Sequence, residues 1–89
     1  MEFEWNKDKR RANLQKHGLD FLRGTALFDG RPAYVYGSPR GGEQRFVSVG
    51  VVSEQFVALV WTERGTRIRL VSLRRARNAE ERAYRALYG

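Results

Sequence analysis

The sequence predicts an α+β fold: a short N-terminal strand, two helices, a four-stranded and mainly antiparallel sheet, and a C-terminal helix. Three observations predict it. Helix-capping residues occur at Asn6, Asp20 and Asn78, short β-rich segments fill residues 33–73, and an apolar stripe with helical spacing ends the chain. The chain has 89 residues and no internal repeat, so we expect residues 1–89 to form one compact domain.

The first strand and the first helix are indicated by residues 3–18. Phe3 and Trp5 alternate with glutamates, which is typical of a very short strand with one apolar face. Asn6 is a suitable N-cap, and Gly18 is a suitable stop after two basic residues. Few residues between them are apolar, so most of this helix must face water or a ligand.

A second helix is expected after Asp20. Phe21, Thr25 and Phe28 share one face at α-helical spacing, and a Gly-Arg-Pro sequence from Gly30 ends the helix.

Four β-rich segments follow Pro32. A glycine-rich loop at 37–42 and two tight turns separate them, and none of these is long enough for a crossover helix, so neighbouring strands must run antiparallel. The expected strands are 33–36, 44–52, 55–62 and 66–73, and a last helix is expected from an N-cap at Asn78, with Ala79, Ala83 and Leu87 on its apolar stripe.

Several classes of protein are excluded by composition. The chain has no cysteine, so a disulfide framework, a zinc–thiolate site and a thiol nucleophile are impossible. One histidine and scattered acidic residues offer no metal-ligand cluster, so we expect neither a metal nor another cofactor. There is no run of 18 apolar residues and no signal-peptide pattern, so we expect the chain to act in the cytoplasm, away from membranes.

Positive charge lies at both ends of the chain. The net charge is +7, and 14 of the 17 basic residues are arginine. Residues 64–89 carry most of the excess, and residues 6–18 form a smaller basic patch. The planar guanidinium donates two parallel hydrogen bonds and stays charged, which suits phosphate. Nucleic acid is therefore the leading partner, and an acidic protein is the alternative.

The last predicted strand carries arginines on one face. Side chains alternate along a strand, so Arg67 and Arg69 point the same way, and the preceding turn brings Arg64 beside them. Val71 and Leu73 continue this face as apolar residues. We therefore expect a shallow cleft that is covered at one end and open and cationic at the other. The alternative is an edge strand that its charges protect from aggregation.

Three aromatic residues, Trp5, Trp61 and Tyr84, are near charged segments. Nucleobases stack on such rings, although rings of this kind more often belong to the core of a small domain.

A metal-free, arginine-rich protein can cleave RNA through the neighbouring 2′-hydroxyl. The reaction needs a base, cations around the phosphorane and an acid for the leaving oxygen. Arg64, Arg67 and Arg69 can supply the cations. Histidine is the side chain that ordinarily changes its charge near neutral pH, so His17, the one histidine, is the candidate base or acid. The alternative is that His17 is a cation that ends the first helix. The substitutes for His17 are Lys16, Glu63 and Tyr84.

A set of residues and short motifs extends along nearly the whole chain in a characteristic order: Phe3-Glu4-Trp5, Lys9, Asn13, Lys16-His17-Gly18, Phe21, Phe28-Asp29, Glu43-x-Arg45-Phe46, Gly50, Thr62-Glu63-Arg64-Gly65, Arg69, Ser72-x-Arg74-x-Ala76, Glu80 and Tyr84. In this order and spacing, the sequence resembles the BrnT family of type II toxins.

The resemblance implies a RelE-like fold and a ribonuclease that halts translation. It also implies neutralisation by a BrnA-type antitoxin, through whose ribbon-helix-helix domain the complex would bind promoter DNA. We assign the roles as follows: catalysis to Arg64, Arg69, His17 and Glu63; RNA binding to Arg67, Arg45, Arg74, Lys16 and Trp5; and antitoxin binding to Tyr84 and Arg85.

Two other functions remain open at this point. A non-catalytic RNA- or DNA-binding module would use the same arginines and bind with a strong dependence on salt. An interaction protein would use its basic face only to hold an acidic partner.

Overall fold

A computed structural model describes all 89 residues, and it confirms the predicted α+β class and the predicted order of elements. The elements are β1 (Glu2–Glu4), α1 (Lys7–His17), a 3₁₀ helix (Phe21–Phe28), β2 (Tyr34–Gly37), β3 (Phe46–Val52), β4 (Gln55–Arg64), β5 (Arg67–Arg75) and α2 (Asn78–Tyr88). None of the helices is both long and apolar enough to cross a membrane.

The sheet has five strands in the order β1-β5-β4-β3-β2, one more than predicted. Strands β2 to β5 form the expected antiparallel meander. The short β1 joins the outer edge of β5 in parallel, with Phe3 opposite Ile68. Pairing with β1 satisfies backbone groups that an unpaired edge of β5 would leave open, and it places Glu2 and Glu4 beside the arginines of β5.

Helix α1 begins and ends as predicted. The Asn6 side chain accepts a hydrogen bond from the Lys9 backbone N–H at 3.0 Å. Gly18 adopts φ +68°, and its N–H donates to the Leu14 carbonyl at 2.8 Å. The left-handed conformation is one that glycine adopts without strain, which explains why the helix stops there.

The second helix is capped by Asp20 as expected, but it is a 3₁₀ helix, and of the predicted row only Phe21 is fully buried. The buried residues are Phe21, Gly24 and Leu27, which repeat every third residue. Three residues per turn put this row on one line. A Cβ at Gly24 would lie 2.8 Å from Leu59 Cδ1, so the glycine lets the helix lie directly on the sheet.

Helix α2 begins at Asn78, one residue earlier than predicted, because Arg77 and not Asn78 is the N-cap. The Glu80 side chain accepts the Arg77 backbone N–H at 2.8 Å. An acidic side chain at the third helical position thus satisfies a donor that the helix leaves open, while Asn78 is exposed.

The two faces of the sheet carry separate cores. The main core lies under α1 and the 3₁₀ helix, and Phe3, Trp5 and Ile68 pack against it at its margin. The smaller core lies under α2 and consists of Val47, Val49 and Ala58, with Tyr84 packed against it. The main core consists of Leu19, Phe21, Leu27, Val52, Val57, Leu59, Trp61, Leu70 and Leu73.

A β-bulge in the β4–β5 pair changes which residues of β5 share a face. Trp61 pairs with Leu70, but Val60 pairs with Ser72, so Val71 is the extra residue. The bulge puts both Leu70 and Leu73 into the main core. The expectation that Leu73 continues the arginine-bearing face was therefore wrong, because a bulge breaks the alternation of faces.

Candidate nucleic-acid interface

A polar cleft opens beside α2, on the face of the sheet that carries the smaller core. Its floor crosses four strands, since Tyr36 pairs with Val47, Val47 with Val60, and Val60 with Ser72. The cavity has a volume of about 350 Å³. We call it the arginine cleft; it is lined by Tyr36, Ser38, Arg40, Arg45, Val47, Val60, Val71, Ser72, Arg74 and Arg77.

Charge in the arginine cleft is of one sign, since four arginines and no carboxylate line it. Arg40 comes from the glycine-rich loop and Arg77 from the cap of α2, and both are exposed and free of ion pairs. Four guanidiniums around two serine hydroxyls suit a phosphodiester, whose oxygens only accept hydrogen bonds.

Arg74 is held in the floor of the arginine cleft by a buried ion pair. Its Nη1 and Nη2 donate to Glu80 Oε1 and Oε2 at 2.7 and 3.0 Å. The Tyr36 hydroxyl donates to the same carboxylate. Burial raises the pKa of Tyr36, as does its hydrogen bond to Glu80. The network fixes Arg74 and joins α2 to the sheet.

The pKa of Glu80 is about 2, far below its ordinary value of 4.5. Burial alone would raise this pKa. Hydrogen bonds from Arg74, from the Arg77 N–H and from Tyr36 lower the pKa by more than burial raises it. Glu80 is therefore ionised at neutral pH, and it keeps the pKa of Arg74 above its ordinary value through their hydrogen bond.

The other fixed arginine of the cleft, Arg45, is held by Glu43. Arg45 Nε donates to Glu43 Oε1 at 2.8 Å, and Arg64 Nη2 reaches Glu43 Oε2 at 3.5 Å. The hydrogen bond from Arg45 lowers the pKa of Glu43. Arg64 thus lies at the rim of the cleft, connected to it through Glu43.

The three arginines predicted to form an open cationic cluster do share one face, but each has an acidic partner. Arg67 Nε lies 3.0 Å from Glu2 Oε2, and Arg69 Nη1 lies 2.7 Å from Glu4 Oε2. The acidic partners were not predicted: β1 joins the sheet in parallel and places its two glutamates beside Arg67 and Arg69, and Glu43 contacts Arg64 at 3.5 Å. The Arg67 pair is largely exposed, so a polyanion can compete with it at little cost.

The proposed proton-handling residues, His17 and Glu63, lie away from these arginines. Glu63 is exposed and pairs with Ile68, so it is on the opposite face from Arg64. His17 ends α1, one helical turn beyond Asn13, whose side chain donates to the Leu73 carbonyl at 2.8 Å. Along β5, Leu73 is four residues past Arg69, which corresponds to about 13 Å.

The remaining residues predicted to bind RNA or the antitoxin lie in two places, near α1 and on α2. Trp5 and the exposed Lys16 belong to the β1–α1 region, outside the arginine cleft. Tyr84 packs edge-on against Phe56, with ring centroids 5.3 Å apart. Arg85 lies 4.7 Å from the Phe56 ring centroid and pairs with Glu81.

The basic side chains that form no ion pair are distributed differently from the basic residues as a whole. Eight of the 17 basic side chains form ion pairs, mostly in the C-terminal third, which leaves nine without one. Arg40 and Arg77 of the cleft were absent from the predicted site. The signal that points to Arg40 is its place in a glycine-rich loop beside the pair Glu43 and Arg45, whereas nothing in the sequence indicates where Arg77 lies.

The fold and the cleft define a class: a small basic α+β domain with a cleft that is lined by arginines. Residues 5–80 match the family model described as "Ribonuclease toxin, BrnT, of type II toxin-antitoxin system". The chain belongs to the BrnT family, and it is thus a toxin with ribonuclease activity that has RNA as its substrate and an antitoxin as its partner. Among proteins with curated functions, none matches the chain.

Proposed function

We propose that the chain is a metal-independent endoribonuclease that halts translation by cutting RNA in the arginine cleft. The observation that carries the proposal is the presence of four guanidiniums, two of them without an ion pair, around one cavity of about 350 Å³. Pre-positioned cations stabilise the charge that develops on a phosphorane, and they need no reorganisation during the reaction.

In the proposed reaction, the 2′-oxygen attacks phosphorus and the bond to the 5′-oxygen breaks. The products are a 2′,3′-cyclic phosphate and a free 5′-hydroxyl. Arg45 and Arg74, fixed by their glutamates, hold the non-bridging oxygens, and Arg40 and Arg77 close over them. Arg64 and Arg69 extend the cationic face along the bound strand.

Glu43 is the proposed base for the 2′-hydroxyl proton. It is the carboxylate joined to both Arg45 and Arg64, and its lowered pKa keeps it ionised at neutral pH. Glu63 and His17, the residues expected from the sequence to handle protons, face other parts of the molecule. Water at the open rim supplies the proton for the leaving 5′-oxygen.

A ribbon-helix-helix antitoxin of the BrnA type is the proposed neutralising partner. Its acidic segments would cover the arginine cleft and α2, and the complex would bind promoter DNA through the antitoxin. The proposal places the toxin in the cytoplasm, where its substrates are. The net charge of +7 supports an acidic partner surface.

The experiment is incubation of antitoxin-free protein with total RNA, with and without chelator. We expect fragments with cyclic phosphate ends in both conditions. Arg40→Ala/Arg77→Ala should remove them, whereas Arg82→Ala, an exposed arginine on α2 outside the cleft, should not. Cleavage that chelator abolishes would refute a metal-free reaction. Intact RNA both here and in a translation extract would leave a non-catalytic binding module.

A further inference from the structure

A second cavity lies outside the arginine cleft, where Trp5 and α1 meet the cap of the 3₁₀ helix. Its volume is about 410 Å³, within the range of small-molecule sites. We call it the Trp5 hollow; it is lined by Trp5, Lys7, Arg10, Arg11, Leu14 and Asp20. The proposed ribonuclease reaction does not use it.

The two tryptophans of the chain differ in their surroundings. Trp61 is buried, stacks on Phe46 at 4.7 Å, and donates its indole N–H to Ser48 Oγ at 2.9 Å. Trp5 is half-buried, has no aromatic neighbour, and makes no side-chain hydrogen bond within the protein. Buried indoles usually find a partner, so Trp5 has a ring and an N–H that a ligand can use.

One stripe of α1 forms the wall of the Trp5 hollow. Lys7, Arg11 and Leu14 follow each other at spacings of four and three residues, which places them on one face of the helix. All three are exposed, and the two cations have no ion pair.

The only carboxylate in the Trp5 hollow is already neutralised. Asp20 accepts hydrogen bonds from Arg10 Nε and Nη2 at 2.8 and 2.7 Å. It also accepts the Leu22 N–H at 3.1 Å as the cap of the 3₁₀ helix. The pair fixes the back of the hollow and leaves Lys7 and Arg11 as its free charges.

We propose that the Trp5 hollow binds one nucleotide of single-stranded RNA outside the cleavage site. The base stacks on the Trp5 ring, Leu14 contacts its edge, and Lys7 and Arg11 bind the flanking phosphates. A flat ring next to two free cations matches the alternation of base and phosphate along a single strand. An acidic peptide would use the cations and would have no need of the ring. The inference deepens the proposed function and depends on it only for RNA as the ligand.

The test uses the full chain and a single-stranded 2′-O-methyl oligonucleotide, which lacks the attacking hydroxyl and stays intact. Binding is measured by titration at several salt concentrations and by tryptophan fluorescence. We expect quenching in the parent protein and none in Trp5→Phe, which keeps an aromatic ring against the core. Because Trp61 is buried, it serves as the internal reference.

Two charge variants are matched. Lys7→Gln/Arg11→Gln removes the two free cations of the hollow, and Lys9→Gln/Arg82→Gln removes two exposed cations that line neither the hollow nor the arginine cleft. We expect the first pair to weaken binding about tenfold and to reduce the salt slope by about 1.4, because each phosphate contact on a single strand contributes about 0.7. The second pair should change affinity less than about threefold.

Equal weakening by both pairs would overturn the proposal, since diffuse charge alone would then explain binding. Unchanged oligonucleotide binding together with weaker antitoxin binding would also overturn it and assign the hollow to an acidic protein. RNA that binds at Trp5 but is never cleaved would contradict the proposed ribonuclease reaction and leave this inference standing.

Discussion

Glu80 and Arg74 form a doubly hydrogen-bonded ion pair, at 2.7 and 3.0 Å, between the first turn of α2 and the end of β5. Glu80 is almost fully buried, and the Arg74 side chain is only 16% exposed. The pair therefore has two functions. It anchors α2 on the sheet, and it fixes a guanidinium in the floor of the arginine cleft.

Glu80→Gln should destabilise the fold by about 3 kcal/mol, because removal of one partner leaves a buried charge uncompensated. Urea unfolding measures the change. Glu81→Gln is the control: it breaks the pair with Arg85 in the same helix, and that pair is more exposed, so it should cost less than about 1 kcal/mol. Equal losses of unfolding free energy in the two variants would mean that the burial of Glu80 does not add to the stability that its ion pair provides.

Acid should destabilise the protein partly through Glu80. Its pKa is about 2 in the folded state, against an ordinary 4.5, so the unfolded chain takes up the proton first. The stabilisation from Glu80 is complete above about pH 4.5 and is lost as the pH falls toward about 2. Because Asp20, Asp29 and Glu43 also have lowered pKa values, the measurement is the difference in stability between the parent and Glu80→Gln. That difference should shrink across this window, and a constant difference would contradict the assignment.

Arg64→Ala should reduce RNA cleavage about tenfold or more and restore growth of cells that express the toxin alone, because a rim cation that positions the bound strand is lost. Arg64 is half-exposed and its contact with Glu43 is long, so the fold should tolerate the change. Arg82→Ala is the control for a lost surface charge. Persistent growth arrest at equal protein levels would remove Arg64 from the site.

Glu43→Gln should lower the cleavage rate about 100-fold, the effect expected for loss of a general base. It should also flatten the acidic limb of the pH–rate profile. Glu63→Gln changes the same residue type near the same end of the sheet but on the opposite face, so its activity should match the parent. Loss of activity in Glu63→Gln alone would restore the assignment made from the sequence.

Arg85→Ala should weaken antitoxin binding if α2 is covered in the complex, and calorimetry or competition binding measures the affinity. Tyr84 needs a milder change, because its ring packs on Phe56 and Tyr88. Tyr84→Phe keeps that packing and removes only the hydroxyl. Unchanged affinity in both variants would place the antitoxin interface elsewhere.

The sequence predicted where the helices and strands lie along the chain better than how they pack against each other. The caps at Asn6 and Asp20 and the stop at Gly18 depend on local hydrogen bonds and backbone angles, which neighbouring residues determine. The helix that contains Gly24 was predicted as an α-helix, because the close contact with Leu59 that favours a 3₁₀ row appears only when the helix lies on the sheet.

The candidate site was predicted in part. Arg45 and Arg74 were expected to bind RNA and do line the arginine cleft, whereas Arg40 and Arg77 were missed. Their positions depend on a loop and on the packing of α2, neither of which leaves a periodic signal. His17 seemed suitable only because it is the one histidine of the chain, and residue type carries no information on distance.

By itself, the sequence determined the α+β class, the order of the elements and the excess of arginine, because periodicity, capping and composition are local properties. Only the tertiary structure decided which cations stay free. The parallel pairing of β1 with β5 gives Arg67 and Arg69 acidic partners, and the bulge at Val71 turns Leu73 into the main core. Both depend on contacts between residues far apart in the chain, and such contacts determine which charges face the substrate.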